Sequence, residues 1–297
     1  MRMVPVSAAP LCADTMTKIQ LENSRIVGPG MNQNRPIAMR ILPSRLAISL
    51  FDRFYSARRD RWLRLYRNAS LRAVPTVSME LVPGDRVSDL IAFTGAHEAE
   101  LTQRVRRLAR RGGKMIDVGA NLGYFSLLWA ASHPANECIA FEAAPRNLDI
   151  LHHNVEQNGF GKRIRIVPKA AAAQSGRLFF DLGPEDQRGW GGIASVTGER
   201  QIEVEAVRVD EEVASDEPIA LLKVDVEGAD AWALMGCDHL LRAKLVGEVW
   251  FEQNKPRMKM LGIQENAAQE YLESVGYRCM LHDALDSPMV QWSAVAR

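Results

Sequence analysis

Residues 115–123 read MIDVGANLG, an apolar β-rich run that passes directly into a turn containing two glycines. The residues that follow, 124–131, have the apolar character of a buried helix. A strand, a glycine turn and a helix form the first unit of a doubly wound α/β sheet, whose ligand crevice lies beside this turn. Gly119 and Gly123 allow the backbone to approach a ligand closely because they carry no side chain. The run therefore predicts a ligand site at the turn.

The chain after this turn alternates β-rich runs with helical ones. Further strands are predicted at 138–143, 164–167, 219–226, 248–253, 277–281 and 290–296, and helices at 147–158, 229–241 and 264–275. The runs 177–182 and 202–209 predict an inserted or edge pair of strands, and the last two strands predict a terminal hairpin. This alternation is typical of a mostly parallel sheet covered by helices on both faces. We predict one such α/β domain over residues 91–297.

Composition narrows the class of protein. The 297 residues are 47% hydrophobic and 25% charged, which is the balance of a globular chain with a substantial core. The four cysteines lie at 12, 138, 237 and 279, too far apart for a zinc pair or a dense disulfide framework. No uninterrupted apolar run reaches the length of a membrane span, and the first residues lack the pattern of a signal peptide. We expect a soluble cytoplasmic protein.

The first part of the chain is basic and of a different character. Residues 1–38 have no steady period and predict a flexible segment, whereas 39–90 predict a helical extension. Residues 1–72 carry 13 Lys and Arg against 4 Asp and Glu, and 41–71 have the pattern of an amphipathic basic helix. Nucleic acid is not expected as a partner, because no known reader motif is present. A helix packed on the main domain and a helix that contacts a membrane surface or a partner remain open alternatives.

Two acidic residues end successive predicted strands. Asp117 stands two residues before Gly119, Asn121 lies between the glycines, and Glu142 ends the next strand. A dinucleotide site would show GxGxxG and cradle a pyrophosphate, whereas an acid and an amide suit a cationic amino-acid group such as that of S-adenosylmethionine. Glu142 can bind ribose hydroxyls in either kind of site, so the first turn carries the distinction. An NAD-binding oxidoreductase remains the alternative.

A third and a fourth polar group follow two later strands. Asp225 and Glu227 end the run LLKVDVEG (221–228), and Glu252 ends the run 248–253. The carboxyl ends of parallel strands are where α/β enzymes hold catalytic groups. The alternative for Asp225 and Glu227 is that they cap the following helix. For Glu252 the alternative is ordinary loop polarity.

Three runs in this order and spacing resemble the FkbM family of S-adenosylmethionine-dependent methyltransferases. They are DVGANLGYFS (117–126), AFEAAPRNLDILHHNVEQNGF (140–160) and LLKVDVEGAD (221–230). The resemblance implies the class I methyltransferase fold, which is Rossmann-like, with a mostly parallel seven-stranded sheet whose last strand is antiparallel. It covers roughly residues 95–253, and the chain departs from the common pattern at Ala143, where many members have proline.

The resemblance also implies roles for individual residues. Four residues of the first turn would line the methionine part of the cofactor, S-adenosylmethionine: Asp117, Gly119, Asn121 and Gly123. Glu142 would bind the ribose, and Asn147 and Asn154 would support that wall.

The family is known mainly for methylating hydroxyl groups, so the resemblance implies O-methylation of a sugar, glycolipid or natural product. Removing the hydroxyl proton calls for a base, and we expect Asp225 or Glu227 in that role, with Glu252 and Trp190 shaping the acceptor pocket. No metal is expected, because no His, Asp and Glu set shows ligand spacing. A non-catalytic binding protein on the same fold is a further alternative, and the oligomeric state is not indicated.

Overall fold

The structure is a computed structural model that describes residues 35–42, 46, 50, 51, 53, 62–194, 200–213, 216–282 and 287–296. The described residues belong to one compact unit. No helix within these ranges is both long and apolar enough to cross a bilayer.

The elements are as follows, in chain order. The helices are α1 Ile37–Ile41, α2 Arg64–Arg67, α3 Arg86–Thr94, α4 Ala99–Ala109, α5 Tyr124–Ser132, α6 Pro145–Gln157, α7 Val209–Glu212, α8 Asp230–Met235, α9 Asp238–Arg242, α10 Lys255–Leu261 and α11 Ala267–Ser274. The strands are β1 Ala69–Ser70, β2 Ser78–Met79, β3 Lys114–Val118, β4 Glu137–Phe141, β5 Ile164–Val167, β6 Ala170–Ala171, β7 Gly176–Asp181, β8 Gly192–Ile193, β9 Gln201–Val207, β10 Ile219–Val224, β11 Glu248–Asn254, β12 Tyr277–Leu281 and β13 Met289–Ala296.

The main sheet has seven strands in the order β12-β13-β11-β10-β3-β4-β5. The pairs from β11 through β5 are parallel, and β13 runs antiparallel to both β11 and β12. The predicted class I methyltransferase fold, with its antiparallel last strand and terminal hairpin, is confirmed. Strand order reverses at β3, which lies between β4 and β10, and the crevice of such a sheet opens at the carboxyl ends of these strands.

A second, smaller sheet stands beside the carboxyl end of β4. Its order is β6-β9-β7-β8, and β7 pairs antiparallel with β9, with Phe179 opposite Glu203. The predicted pair at 177–182 and 202–209 thus forms, and it belongs to this sheet. Its apolar side packs Phe180 and Val204 against Ala144, which follows β4. The small sheet therefore builds one wall next to the crevice.

Residues before the predicted boundary at 91 share the core of the main domain. Phe51 lies 4.9 Å from Phe93 between ring centroids, and Tyr66 lies 6.4 Å from the same ring. The Tyr66 hydroxyl donates to Asp89 at 2.6 Å, and the Arg35 guanidinium donates to the Ala92 carbonyl at 2.7 Å. The part of 39–90 that the structure describes therefore packs as part of the same unit.

The basic extension is not one continuous helix. α1 ends at Ile41, where Leu42 turns to extended backbone ahead of Pro43, which restricts the residue before it. Leu46, Leu50, Phe51 and Arg53 are helical, but Ala69 and Ser70 already form a strand, so the helix predicted over 41–71 is wrong as a single element. The predicted flexible segment falls almost wholly on residues 1–34, outside the described residues.

The helix predicted at 229–241 is two short helices. A Cβ on Gly236 would lie 2.3 Å from the carbonyl oxygen of Ala172, so the chain touches its neighbour there. Asp210 then accepts from the backbone N–H groups of His239 and Leu240 at 2.9 and 3.2 Å, which begins the second helix. Contact with distant residues sets this break, and the local pattern does not show it. α10 was not predicted.

Candidate active site

A cavity of about 300 Å³ opens at the carboxyl ends of β3, β4, β10 and β11. Seven of the predicted site residues line it: Gly119, Asn121, Glu142, Asn147, Asp225, Glu227 and Glu252. Three predicted residues, Asp117, Gly123 and Asn154, do not line it. The structure thus brings the ends of four non-adjacent sequence segments to one cavity.

The glycine turn is held in place by a buried ion-pair network. The Lys223 ammonium lies 3.2 Å from the Asp117 carboxylate and 3.5 Å from that of Asp225, and it donates to the Gly119 carbonyl at 3.2 Å. Burial alone would lower the pKa of Lys223, but the two carboxylates outweigh burial and hold that pKa above its ordinary value. Asp117, which also accepts from Ser126 at 2.6 Å, therefore fixes the turn from below.

The two glycines of the turn serve different contacts. Gly119 has φ +78°, and a Cβ there would lie 1.9 Å from the carbonyl oxygen of Asp225. Only glycine fits where the turn meets the loop after β10. Gly123 begins α5, and a Cβ there would lie 2.7 Å from Leu151 of α6. Gly119 therefore shapes the cavity, whereas Gly123 permits helix packing behind it.

Glu142 joins the ends of β3 and β4. Its carboxylate accepts from the backbone N–H of Asn121 at 2.7 Å and from that of Ala144 at 2.8 Å. Burial raises the pKa of Glu142, and the donated hydrogen bonds oppose that shift. Within the described residues, Asn121 Oδ1 and Asn147 Oδ1 are buried and accept no hydrogen bond. Both residues line the cavity next to Glu142.

Asn154 supports this wall from outside the cavity. Its amide nitrogen donates to the carbonyls of Leu122 and Glu80 at 2.9 and 3.0 Å, and its oxygen accepts from the Glu80 backbone N–H at 2.6 Å. The side chain thus ties the glycine turn to β2 and its continuation. Its place indicates a structural role.

Three carboxylates meet at the other end of the cavity. One oxygen each from Asp225, Glu227 and Glu252 lies within 4.8 Å of the other two. Asn254 donates to Glu227 at 2.8 Å. Asp230, rather than Asp225 or Glu227, accepts from the backbone N–H groups of residues 226 and 228, at 3.4 and 3.1 Å. Asp225 and Glu227 are therefore free of the capping role that was their alternative.

Crowding of these acids changes their proton affinity. Burial, and then the charge of Asp225, raises the pKa of Glu227 to about 7. Burial, and then the charges of Asp225 and Glu98, raises the pKa of Glu252 to about 10. Burial also raises the pKa of Asp225, against the opposing charge of Lys223. At neutral pH, Glu252 therefore keeps its proton and Glu227 lies close to its midpoint.

A loop at residues 183–191, here called the cover loop, closes one side of the cavity. Arg146 donates to carbonyls of Leu182, Gly183, Pro184 and Arg188 and so fastens the loop to α6. Asp85 accepts from the Arg188 backbone N–H at 2.9 Å, and Arg257 donates to the Trp190 carbonyl at 2.7 Å. Trp190, at the mouth of the cavity, is 47% exposed.

The chain matches the methyltransferase FkbM domain over residues 117–279, which is more than half of its length. This chain belongs to the FkbM methyltransferase family. The matched residues contain the glycine turn, Glu142, the acidic group and the small sheet. The matched range therefore includes every cavity residue except those before 117 and after 279.

Among curated relatives, this FkbM protein is 30% identical over 174 residues to methyltransferase sdnD of Sordaria araneosa. That match takes in 46% of this chain and 66% of the relative, just under two thirds of its length.

Solved structures with a similar fold are more distant. A putative rRNA methylase from Clostridium thermocellum is 8% identical with TM-score 0.45, covering 66% of this chain and 93% of the other. SMU.1697c, a putative methyltransferase from Streptococcus mutans in complex with SAH, is 11% identical with TM-score 0.42, covering 67% and 98%. Because both scores are below 0.5, the fold rests on the strand order described above.

The cofactor of this family is S-adenosylmethionine, and the cavity residues fit it. Glu142 follows β4 and lines the cavity, where a carboxylate suits ribose hydroxyls, and Gly119 lets the turn lie against the loop after β10 in the same cavity. Asn121 and Asn147 line the cavity beside Glu142, and their side-chain oxygens have no hydrogen-bond partner within the described residues. The turn has two glycines four residues apart, at 119 and 123, and so lacks the GxGxxG pattern of a dinucleotide site.

Sequence reasoning missed several cavity residues. Phe180 and Ile193 come from the small sheet and Met289 from β13, and no local pattern marks them as part of a site. His97 and Glu98 also line the cavity, whereas the sequence favours a surface helix position for this polar pair over one that closes over the cofactor. The metal expectation did not foresee that three acids from two strand ends would converge.

Proposed function

We propose that this protein is an S-adenosylmethionine-dependent O-methyltransferase that acts on a hydroxyl group of a sugar, glycolipid or natural product. The observation that carries the proposal is one cavity that joins a glycine turn and a ribose acid to a cluster of three acids. Cofactor residues and proton-accepting residues thus line a single space. A cytoplasmic location stays a prediction.

Cofactor binding is assigned to the half of the cavity around β3, β4 and the small sheet. Glu142 binds the ribose, and Asn121 and Asn147 accept hydrogen bonds from the nucleoside. Ala144, Ala170 and Phe180 supply an apolar wall for the adenine. When bound, S-adenosylmethionine supplies an electrophilic methyl group on a sulfonium.

Glu227 is proposed as the base. A hydroxyl group has a high pKa, so transfer to its oxygen is helped by a carboxylate that takes the proton as the new bond forms. Glu227 suits this role because a pKa of about 7 leaves a substantial ionised fraction at neutral pH. Its backbone φ of +55° is costly for a residue with a side chain, and such strain is often retained at functional positions.

Glu252 is proposed to position the acceptor. Glu252, protonated at neutral pH, can donate a hydrogen bond to the acceptor, and Asp225 is held by Lys223. Trp190 at the mouth offers a flat apolar face to a ring. Contact of the Arg-rich segment 41–71 with an anionic membrane surface remains a proposal for a glycolipid acceptor. Liposome sedimentation of the full chain, with and without that segment, would test it.

The test of the base is Glu227→Gln, with Glu273→Gln on the exposed face of α11 as matched control. Release of S-adenosylhomocysteine is measured across a panel of hydroxylated acceptors. The expected fall in kcat for Glu227→Gln is about 10²–10⁴-fold, with S-adenosylhomocysteine affinity unchanged and the control at wild-type rate. Full turnover in Glu227→Gln would remove the base assignment, and no turnover by wild type with any acceptor would favour a binding protein.

A further inference from the structure

One charged pair that lines the cavity has no role in the proposed chemistry. His97 and Glu98 lie in the loop between α3 and α4, with His97 Nε2 2.8 Å from Glu98 Oε1. Each side chain is 20% exposed, and both line the cavity beside Asp225. The pair is therefore accessible to a ligand in the cavity while being largely shielded from bulk water.

The loop that carries this pair is fixed from several sides. Gln291 of β13 donates to Glu98 Oε2 at 3.0 Å, and the His97 carbonyl accepts from Thr102 at 2.6 Å. The His97 ring lies 5.8 Å from Tyr124 and 6.0 Å from Phe125, between ring centroids. Glu98 keeps a φ of +39°, which a residue with a side chain adopts at a cost. A surface ion pair would need none of this support.

Burial and neighbouring charges shift the pKa values of both His97 and Glu98. Burial lowers the pKa of His97, but the carboxylate of Glu98 and then that of Asp225 outweigh burial, so the pKa lies above its ordinary value. Burial raises the pKa of Glu98, and the His97 cation outweighs it, so that pKa is lowered. Each partner therefore favours the charged form of the other, a protonated His97 beside an ionised Glu98.

The strand order places Glu142 and Asp225 on opposite sides of the glycine turn. β4, which leads to Glu142, is on one side of β3, and β10, which leads to Asp225, is on the other. The charges of Lys223, in β10, and of Asp225, which follows it, both act on His97. A ligand whose ribose lies at Glu142 and which crosses Gly119 would extend toward Asp225, whose charge acts on His97 in the same cavity.

We propose that His97 and Glu98 form the subsite for the amino-acid end of the cofactor. His97 faces the α-carboxylate and Glu98 faces the α-ammonium, with Asp225 adding negative charge beside the ammonium. Charged hydrogen bonds of this kind are about twice as strong as neutral ones. The inference rests on the proposed function, since it assumes that the nucleoside end binds at Glu142.

The experiment compares two ligands that differ in this end. S-adenosylhomocysteine carries the amino acid, and 5′-methylthioadenosine has the same adenosine and sulfur without it. Both are titrated by calorimetry into wild type, His97→Gln, Glu98→Gln and the control His153→Gln, an exposed histidine that lies 3.1 Å from Glu80. Thermal melting checks that each variant is folded.

The subsite predicts a loss confined to one ligand. His97→Gln and Glu98→Gln should each weaken S-adenosylhomocysteine by about 10–100-fold, the value of one hydrogen bond to a charged group. Affinity for 5′-methylthioadenosine should stay within about twofold, and His153→Gln should bind both ligands as wild type does.

Other outcomes separate the subsite from the proposed function. Equal weakening of both ligands would show that the pair only supports the fold, and unchanged binding of both would also overturn the subsite. If His97→Gln does not fold, Glu98→Gln, which keeps the side-chain size, decides the same comparison. Failure of wild type to bind either ligand would contradict the proposed function itself.

Discussion

The pKa values of single residues in the cavity depend on their burial and on the charges of their neighbours. Glu227 and Glu252 are the same residue type on neighbouring strand ends, yet their pKa values are raised to about 7 and about 10. The difference arises because Asn254 and Arg257 favour the ionised form of Glu227, whereas Glu252 faces four other acids. One acid is thus available to accept a proton and the other to donate a hydrogen bond.

A pH–rate profile tests the state of Glu227. A base works only when it is deprotonated, and the raised pKa of Glu227 places its midpoint at about 7. We expect kcat/KM to fall about tenfold per pH unit well below this midpoint and to level off above it. In Glu227→Gln this limb should vanish. A profile in wild type that is flat from pH 5 to pH 8 would contradict the assignment.

Glu252→Gln should stabilise the protein in alkaline solution. In the unfolded chain Glu252 ionises near its ordinary pKa, whereas in the folded chain it keeps its proton up to about 10. Unfolding therefore releases a proton, and the free energy of unfolding falls as pH rises between those two values. Glutamine has no proton to lose. We expect Glu252→Gln to raise Tm by a few degrees at pH 9, on the order of 1 kcal/mol.

The same variant supplies its own control at low pH. Near pH 4, where wild-type Glu252 is protonated in both states, the two proteins should melt within about one degree of each other. An equal gain at both pH values would mean that the effect comes from packing. A loss of stability at pH 9 would show that Glu252 is ionised in the folded protein.

Residue roles were predictable where the sequence marks a strand end. Gly119, Glu142, Asp225 and Glu227 could be placed at the crevice because each follows an apolar run. Asp117 has the same mark, but its carboxylate pairs with Lys223 beneath the turn. The direction of a side chain at a strand end depends on its neighbours across the sheet, which no local pattern contains.

At the scale of elements, the β3 turn depends on contact with the loop after β10. Gly119→Ala would place a Cβ 1.9 Å from a backbone oxygen, which a side-chain rotation cannot relieve. We expect this variant to lose S-adenosylhomocysteine binding by at least about 100-fold and to lower the free energy of unfolding by about 2 kcal/mol or more. Calorimetry and urea denaturation give the two values.

Gly159→Ala is the matched control for this turn. Gly159 has φ +70°, close to that of Gly119, but a Cβ there would meet nothing within 4 Å. Its substitution should cost only the left-handed backbone, about 1 kcal/mol, and should leave ligand binding unchanged. If the two variants lost the same stability and both bound ligand normally, the close approach of Gly119 to the Asp225 carbonyl would not be needed for stability or binding.

Elements were predictable to the extent that their pattern is local. The apolar runs of β3, β4, β10 and β11 and the period of α6 are visible in the sequence. The break between α8 and α9 is set by Ala172 and Asp210, which lie far away in the chain. The helical period that looked continuous over 41–71 is interrupted in the same way, because α1 ends at Ile41 and Ala69–Ser70 form β1.

At the scale of the whole molecule, the carboxylates of Asp225, Glu227 and Glu252 could either share protons or bind a metal cation. Three carboxylates within 4.8 Å of one another resemble the oxygen ligands of a divalent ion, but raised pKa values let them share protons instead. We expect turnover to remain within about twofold after EDTA treatment and dialysis. A loss of activity that Mg²⁺ restores would assign a metal to Asp225, Glu227 and Glu252.

The assembly of the cavity is a property of the complete sheet. Its order brings β11, β10, β3 and β4 together although up to 130 residues separate them in the chain, from Glu248 of β11 to Val118 of β3. The family resemblance predicts this order, whereas the residue pattern alone predicts only a mostly parallel sheet. The wall formed by the small sheet and the cover loop follows from packing that the sequence does not display.

The most direct measurement is calorimetric titration of the full chain with S-adenosylhomocysteine, S-adenosylmethionine and NAD, beside Asn121→Gly. Asn121 has φ +50°, which glycine adopts freely, and its side chain is proposed to accept a hydrogen bond from the cofactor, so the variant tests that contact without backbone strain. We predict micromolar binding of the first two ligands, none of NAD, and affinity about 5–10-fold weaker in the variant. Binding of NAD alone, or of none of the three, would contradict the account.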